Sequence, residues 1–136
     1  MATIFSRLID GELPARFVHS DDICVAFLTI APICEGHTLV VPRAEVDHWI
    51  DLDAATVAHL ATVARQIGLA QRVAFGAERV SLIIAGLEVP HTHLHVLPIT
   101  SEADIDFAKA DPDVPAEDLD RAAQMLRTAL AANDLI

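Results

Sequence analysis

The sequence is poor in aromatic side chains. Its 136 residues include five Phe, one Trp and no Tyr, although 53% of the residues are hydrophobic. The core must therefore be built mainly from Val, Ile, Leu and Ala. A chain of this length suffices for one domain with a sizeable core. We predict a single domain over residues 1–136.

Positive charge is also scarce. Nine Lys and Arg stand against twenty Asp and Glu, which gives a formal net charge of −11 at pH 7, and the basic residues are scattered along the chain. Surfaces that bind nucleic acid carry clustered positive charge, so we expect no nucleic-acid partner. If the ligand is a small anion, local groups must attract it against an unfavourable overall field.

Cysteine and long hydrophobic runs are few or missing. The two cysteines, Cys24 and Cys34, are too few for a disulfide framework, and we expect both to be small buried or half-buried hydrophobes in a reducing compartment. No hydrophobic run nears the roughly 20 residues of a membrane-spanning helix. Residues 1–3 lead directly into an amphipathic segment and not into a signal peptide. We expect a cytoplasmic protein with no membrane partner.

What the sequence does contain is three histidines at alternate positions, His91, His93 and His95. We predict a strand over residues 91–97, because alternate residues of a strand project from the same face. The three imidazoles would then lie roughly 6.5–7 Å apart, close enough for neighbouring rings to share one small anionic group. In a helix the same spacing would spread the rings around the cylinder.

Three interpretations of this histidine stretch are open. Polar strand positions that happen to be histidine would explain one such residue but hardly three in register. A metal site is an alternative, because imidazole is a common metal ligand. Against it, no Cys-x-x-Cys, His-Glu-x-x-His or neighbouring pair of acidic residues completes a ligand set. The third interpretation, which we favour, is a row of imidazoles acting on a phosphate, one as nucleophile and another as proton donor.

The rest of the chain predicts an α+β fold with an antiparallel sheet. Three β-rich runs close together suggest an antiparallel meander, and a helix then precedes two further strands and a last helix. His59 is expected to face solvent from the middle helix, and the acidic stretch after Pro98 to be a solvated loop. The predicted strands cover residues 16–19, 23–30, 36–41, 80–85 and 91–97, and the predicted helices cover residues 4–9, 53–75 and the segment from Pro115.

A family resemblance is carried by the segment His91–Leu97, whose histidine pattern resembles the signature of the histidine triad (HIT) proteins, which are nucleotide hydrolases and transferases. The resemblance extends over nearly all the chain, because residues 4–15, 21–27 and 36–43 resemble further blocks of the family pattern. It implies a single HIT domain with a HIT-like α+β fold: a five-stranded antiparallel sheet with two main helices and a short N-terminal helix. It also implies a homodimer.

The resemblance implies catalytic roles for four histidines. His93 would attack the α-phosphate of a nucleotide or nucleotide conjugate and form a covalent nucleotidyl-histidine, and His95 would contact the phosphate and the leaving group. His91 and His37 would complete a hydrogen-bonded relay that sets the tautomers. The substrate would be a phosphoramidate, phosphoester or anhydride, and no cofactor is implied.

The resemblance also implies a nucleotide pocket. Thr29 stands where the family usually has an acidic residue that holds the ribose. Gly86 and Glu88 lie in the loop that precedes the triad, and Leu87 and Glu88 replace residues that usually touch phosphate. A carboxylate there repels an anion, which motivates a second hypothesis, a catalytically weak nucleotide-binding or regulatory protein. The slot for the base would be hydrophobic and formed by Ile4, Phe5, Leu8, Phe27, Ile30 and Leu39.

Metal binding is not expected from the resemblance. Zinc-binding members carry Cys-x-x-Cys near the start of the chain, where this sequence has Thr3 and Ser6, and Glu45 replaces a further histidine ligand. A metalloprotein that uses the triad histidines themselves is a third hypothesis. We predict no metal and no cofactor.

Overall fold

Short hydrophobic strands form a five-stranded antiparallel sheet at the centre of the molecule. The computed structural model describes residues 2–132. The strands are β1 (Phe17–Ser20), β2 (Cys24–Leu28), β3 (Thr38–Pro42), β4 (Arg79–Ile83) and β5 (Leu94–Ile99). They lie in the order β1-β2-β3-β5-β4, so the first three strands form the predicted meander. The sheet with its helices confirms the predicted α+β fold.

The helices of the described residues are α1 (Ile4–Ile9), α2 (Ala54–Phe75) and α3 (Ala116–Ala132). α2 begins after Asp53, whose side chain caps it by accepting a hydrogen bond from the backbone N–H of Thr56 at 2.7 Å. It ends at Gly76, whose φ of 64° lies in the left-handed region that favours glycine. Within this part of the chain no helix is both long enough and apolar enough to cross a membrane.

Both faces of the sheet are buried. On the helical face, α2 and α3 pack against Ala26, Val40 and Val96. On the opposite face, which we call the α1 face, a smaller hydrophobic cluster contains Phe5, Val25, Phe27, Leu39 and Val41. The hydrophobic residues of β2 and β3 alternate between the two clusters, so both strands are buried along their whole length.

One buried amide links α2 to the backbone of two strands. Nε2 of Gln71 donates hydrogen bonds to the carbonyl oxygens of Gly36 and Val96, at 2.9 and 2.8 Å. Gly36 has a φ of 87°, and a Cβ at this position would collide with the aromatic ring that ends α2. Because Gly36 precedes His37 and Val96 follows His95, the Gln71 side chain holds the backbone beside both histidines.

The histidine stretch departs from the predicted strand over residues 91–97. β5 begins after His93, so only His95 lies in a strand. The backbone N–H of Thr92 donates instead to the carbonyl oxygen of Val46, at 2.7 Å. The prediction that all three imidazoles alternate along one strand was therefore wrong, because a loop contact replaces the sheet hydrogen bonds of the first two.

The acidic segment after Pro98 is largely exposed, as a solvated loop would be, but it contains two short 3₁₀ helices, Glu102–Asp104 and Phe107–Lys109. The Phe107 ring meets the His95 ring edge-on, with ring centroids 5.0 Å apart and an interplanar angle of 69°. The segment therefore reaches the histidines, which the sequence did not predict.

Candidate active site

His37 and His95 form a hydrogen-bonded pair. His37 lies just before β3 and His95 lies in β5, and the antiparallel pairing of these strands brings Nε2 of His37 to 2.9 Å from Nδ1 of His95. Nδ1 of His37 accepts the backbone N–H of Ile33 at 3.1 Å. The proton of a neutral His37 must therefore be on Nε2, which donates it to His95. The proton of His95 is in turn on its own Nε2.

His93 has the opposite tautomer. Its Nδ1 lies 2.7 Å from the backbone carbonyl oxygen of His91, which only accepts hydrogen bonds, so Nδ1 carries the proton and Nε2 keeps its lone pair. The rings of His93 and His95 meet with centroids 5.0 Å apart, and Phe5 of α1 packs edge-on to His93 at 4.9 Å. The site thus pairs a ring with a free lone pair and a ring with an N–H to donate.

The His91 ring is buried and faces away from this pair. Its Nε2 donates to the carbonyl oxygen of Pro42 at 2.8 Å, and its Nδ1 accepts from the Thr3 hydroxyl at 2.7 Å. The resemblance implied that His91 joins the relay that sets tautomers. In the structure it is the backbone carbonyl of His91, and not its ring, that bonds to His93.

The residues that stand where the zinc-binding HIT proteins carry zinc ligands do meet in space. Thr3 and Ser6 lie at the start of α1, and Oε1 of Glu45 accepts hydrogen bonds from the Thr3 backbone N–H at 2.9 Å and from the Ser6 hydroxyl at 2.6 Å. Thr3 then bonds to His91. Hydroxyl and carboxylate hydrogen bonds therefore connect these three residues to the His91 ring.

Burial keeps His37, His93 and His95 neutral at physiological pH. Burial lowers the pKa of His37 to about 4. Burial, with the neighbouring charges of His37 and His93 as smaller causes, lowers the pKa of His95 to about 3. Burial also lowers the pKa of His93, although the hydrogen bond to the His91 carbonyl opposes this shift. Neutral rings preserve both the lone pair of His93 and the tautomers described above.

A small cavity of about 140 Å³ opens beside His93. Gly86, one of the predicted site residues, lines it with a φ of 82° that favours glycine. Glu88, another, is exposed, and its negative charge acts to raise the pKa of His93. The remaining lining residues are Asp47, His48, Trp49, Ile84, Ala85, Leu87 and Thr92.

The predicted base slot is brought together only in part. Phe5, Phe27 and Leu39 share one buried cluster, with Leu8 packed against it. Ile4 and Ile30 are 49% and 71% exposed and do not belong to this cluster. The hydroxyl of Thr29, the predicted ribose contact, accepts the backbone N–H of Ala31 at 3.2 Å. The roles of all these residues in nucleotide binding stay predictions.

Two features near functional groups were missed from the sequence. Phe107 carried no signal, because it is one aromatic residue in an acidic stretch. His59 was expected to face solvent; its side chain is 32% exposed, but the sequence did not predict that its Nε2 also donates to Asp21, at 2.7 Å. A contact between residues 38 positions apart depends on how α2 packs on the sheet. The sequence does place His19, Asp21 and Cys24 close together, and this spacing could have indicated a polar cluster around Asp21.

Comparison with known proteins gives a consistent result. A family model described as the HIT domain matches residues 10–102. The structure superposes on a Zn-bound histidine triad family protein of Mycobacterium smegmatis with a TM-score of 0.85 and 31% identity, covering 98% of this chain and 96% of that one. It superposes on a hypothetical histidine triad nucleotide-binding protein of Sulfolobus tokodaii with a TM-score of 0.83 and 26% identity, covering 95% and 92%.

A curated relative has a named activity. An adenylylsulfatase of Arabidopsis thaliana is 28% identical over 100 residues, which cover 70% of this chain and 51% of that protein.

Proposed function

This chain belongs to the HIT domain family, and from that premise we propose that it is a nucleotide-binding enzyme that transfers a nucleotidyl group to His93 and then to water or another acceptor. Family membership and the histidine triad neighbours support nucleotide binding. The observation that carries the enzymatic proposal is the tautomer pair, an Nε2 lone pair on His93 beside an Nε2–H on His95.

In the first step Nε2 of His93 attacks the α-phosphorus of the nucleotide. A nitrogen–phosphorus bond forms, the bond to the leaving group breaks, and the leaving group takes the bonding electron pair. The His93 ring gains positive charge, which the His91 carbonyl at Nδ1 stabilises. The N–H of His95 donates a hydrogen bond to the phosphate or to the departing atom.

Hydrolysis of the intermediate completes the cycle. Water attacks the same phosphorus, the bond to His93 breaks with its electron pair returning to the imidazole nitrogen, and one proton of the water is released to solvent. If an alcohol or another phosphate replaces water, the same chemistry is a transfer reaction. Both outcomes restore the free ring.

The hydrogen-bond pattern ranks the substrate classes. Nδ1 of His95 accepts from His37, and the pKa of His95 is about 3, so His95 donates a hydrogen bond but holds no spare proton to transfer. Leaving groups that depart as stable anions need no proton. We therefore place anhydrides, such as a nucleotide joined to sulfate or to a second phosphate, ahead of phosphoramidates and simple phosphoesters. The adenylylsulfatase relative acts within the same class, by its name.

The test compares adenylyl sulfate, a dinucleoside polyphosphate and an adenosine phosphoramidate as substrates. We expect turnover of at least one, fastest on an anhydride, and its loss by about a thousandfold or more in His93→Asn. The nucleotidyl-histidine intermediate is unstable in acid, so the reaction is quenched at high pH. Intact mass spectrometry should then show one nucleotidyl group on the wild-type chain. Circular dichroism of the variant checks that it is folded. No turnover above the variant on any of the three substrates would reject the enzymatic proposal.

A second candidate function is supported by Glu88. Its carboxylate lies near enough to His93 to affect the pKa of that ring, and a negative charge there opposes phosphate binding. This favours a protein that binds a nucleotide conjugate weakly and turns it over slowly or not at all. Calorimetric binding of adenosine monophosphate without any turnover would support this function, whereas turnover would exclude it.

We also propose that two copies of the chain pair through β4. β4 is an edge strand of the sheet, and Leu82 on this strand is 51% exposed, which is unusual for an edge that stays unpaired. Light scattering after gel filtration should give twice the mass of 14.6 kDa, and Leu82→Lys should give the monomer mass. The cytoplasmic location stays a proposal, supported by two free cysteines.

A further inference from the structure

A cluster of side chains that could act as metal ligands lies on the helical face of the sheet. Cys24 packs in the core beneath α2 and α3. His95, by contrast, pairs with Leu39 of the hydrophobic cluster on the α1 face. The cluster of candidate metal ligands is therefore separate from the proposed catalytic histidines. Its members are His19 of β1, Asp21 of the following turn, Cys24 of β2 and His59 of α2.

Asp21 is fixed so that one carboxylate oxygen faces the cluster. Its Oδ1 accepts hydrogen bonds from the backbone N–H groups of Ile23 and Cys24, both at 2.8 Å. Its Oδ2 accepts from Nε2 of His19 at 2.6 Å and from Nε2 of His59 at 2.7 Å. The Cys24 thiol points at the same oxygen from 3.7 Å. Three donors from three different elements thus converge on one atom.

These side chains are a ligand set that suits zinc. Zn²⁺ in structural sites takes four ligands chosen from imidazole nitrogen, thiolate sulfur and carboxylate oxygen. The candidate ligand atoms of His19, Asp21 and Cys24 lie within 4.8 Å of one another. Bond lengths of ~2.0 Å to N or O and ~2.3 Å to S put tetrahedral ligand atoms roughly 3.3–3.6 Å apart.

Little movement separates His19, Asp21 and Cys24 from such a tetrahedron, whereas His59 lies outside the group whose ligand atoms are all within 4.8 Å of one another, and its ring must turn towards the other ligands. The Asp21 oxygen and the Cys24 sulfur, 3.7 Å apart, already have nearly the required separation. The imidazole nitrogens are 2.6 and 2.7 Å from the oxygen and need to retreat by less than about 1 Å. The side chains of His19 and His59 are 12% and 32% exposed, so the rings are in reach of solvent and His59 has room to turn.

The local charges favour a cation. The chain carries a net charge of −11, and the Asp21 carboxylate accepts hydrogen bonds from two backbone N–H groups and from His19 and His59, which favour its charged form. The nearby cation Arg43 does not compete for the carboxylate. Its Nε donates to the backbone carbonyl oxygen of Asp21 at 2.7 Å.

We propose that His19, Asp21, Cys24 and His59 bind one divalent transition-metal ion, with Zn²⁺ as the best fit. The ion replaces the hydrogen bonds on Oδ2 of Asp21. The Cys24 thiol releases its proton to solvent, and each neutral imidazole carries its single proton on Nδ1 while Nε2 binds the ion. Four protein ligands close the coordination shell, so the site is structural and not catalytic. It ties the β1–β2 hairpin to α2.

This proposal differs from the expectation of no metal. That expectation was based on the triad histidines and on Thr3, Ser6 and Glu45, and it did not consider the His-x-Asp-x-x-Cys pattern of residues 19–24. The pattern alone is weak. It gains weight from the convergence of His59, which comes from a different element, on the same oxygen of Asp21.

The test uses the full chain after removal of metal with a chelator. Calorimetric titration with Zn²⁺ should give one tight site per chain, and Zn²⁺ should raise the unfolding temperature. Titration with Co²⁺ should give the near-ultraviolet charge-transfer band of a cobalt–thiolate bond. His59→Gln should weaken Zn²⁺ binding by at least about 10–100-fold, and Cys24→Ser should abolish the cobalt–thiolate band.

Matched controls separate this site from the rest of the protein. Cys34→Ser removes the other thiol, and His93→Asn removes a triad ring; both should keep the Zn²⁺ affinity and the cobalt band. Because Cys24 is buried, its variant is checked by circular dichroism, and His59→Gln, at a half-exposed helix position, supports the conclusion independently. Absence of a tight Zn²⁺ site would overturn the proposal. So would binding that persists in both cluster variants but is lost in His93→Asn.

Discussion

The backbone carbonyl oxygen of His91 lies 2.7 Å from Nδ1 of His93. The ring that we propose as nucleophile is therefore oriented by the main chain two residues before it, and the side chain of His91 is free for another task. That ring is fully buried between Pro42 and Thr3, to both of which it is hydrogen-bonded. The first and second histidines of the triad thus differ in what their substitution should do.

Replacing His91 should affect stability more than chemistry. His91→Asn leaves the backbone carbonyl in place but breaks two buried hydrogen bonds, so we expect the free energy of unfolding to fall by about 1–3 kcal/mol. The value of kcat in the folded variant should exceed that of His93→Asn by at least tenfold. Denaturant unfolding and steady-state kinetics measure both quantities. Equal loss of kcat in the two folded variants would show that the His91 ring takes part in the reaction.

The activity should persist to a lower pH than an ordinary histidine nucleophile allows. Protonation removes the lone pair of His93, and burial lowers its pKa, so the loss of activity on acidification should come below the ordinary value of ~6.5. From the sequence alone the loss would be expected within the usual imidazole range. A profile of kcat/KM against pH, which reports the pKa values of the free enzyme, distinguishes these two expectations. An acid limb with an apparent pKa at or above that ordinary value would contradict the burial of His93.

Stability should decline as the pH falls from about 6.5 towards 4. The unfolded chain binds a proton at His37 near pH ~6.5, whereas the folded chain resists protonation until about pH 4. The unfolded state therefore binds more protons in this window, and the free energy of unfolding drops by up to ~1.4 kcal/mol per pH unit for each such histidine. His37→Gln should reduce the slope. An unchanged slope in that variant would assign the effect to other groups.

Removing the charge of Glu88 should improve the use of anionic substrates. Glu88→Gln removes a carboxylate near His93, and we expect KM for a nucleotide substrate to fall by about threefold to tenfold at low salt, with a smaller change at high salt. Glu78→Gln is the matched control, since it makes the same charge change at an exposed position just before β4. If both variants lower KM equally, the effect belongs to the net charge and not to the site.

Phe107 should matter for the reaction although it lies in an acidic loop. Its ring packs edge-on to the ring of His95. Phe107→Ala should lower kcat/KM by roughly fivefold to twentyfold, because His95 loses a neighbour that fixes its orientation. The control is Ile105→Ala, an exposed hydrophobic residue of the same segment. Identical kinetics of the two variants would show that the Phe107 contact has no functional part.

The sequence predicted the fold more fully than the site. The helix predicted over residues 53–75 matches α2 closely, because periodicity and the local caps Asp53 and Gly76 determine both ends. The histidine pattern identified the right residues but not their geometry. Whether β5 extends back through the first two histidines depends on Val46, which is distant in the chain and whose carbonyl oxygen accepts the backbone N–H of Thr92.

Contacts between distant segments explain what the sequence could not predict. Phe107 meets His95, and His59 meets Asp21, only because separate elements pack together. Neither contact leaves a periodic or local trace in the sequence. The tautomers of the histidines likewise follow from their partners in space, such as the backbone N–H of Ile33 at His37, and not from their spacing.

The hydrogen bonds of the Gln71 amide couple the position of α2 to the distance between His37 and His95. Its single nitrogen donates to the backbone next to His37 and next to His95, so a shift of this end of the helix would pull on the backbone beside both rings. His59 lies on the same helix, twelve positions before Gln71 and roughly 18 Å from it along the helix axis. A contact that fixes the N-terminal half of α2 therefore also helps to keep the imidazoles of His37 and His95 aligned near Gln71.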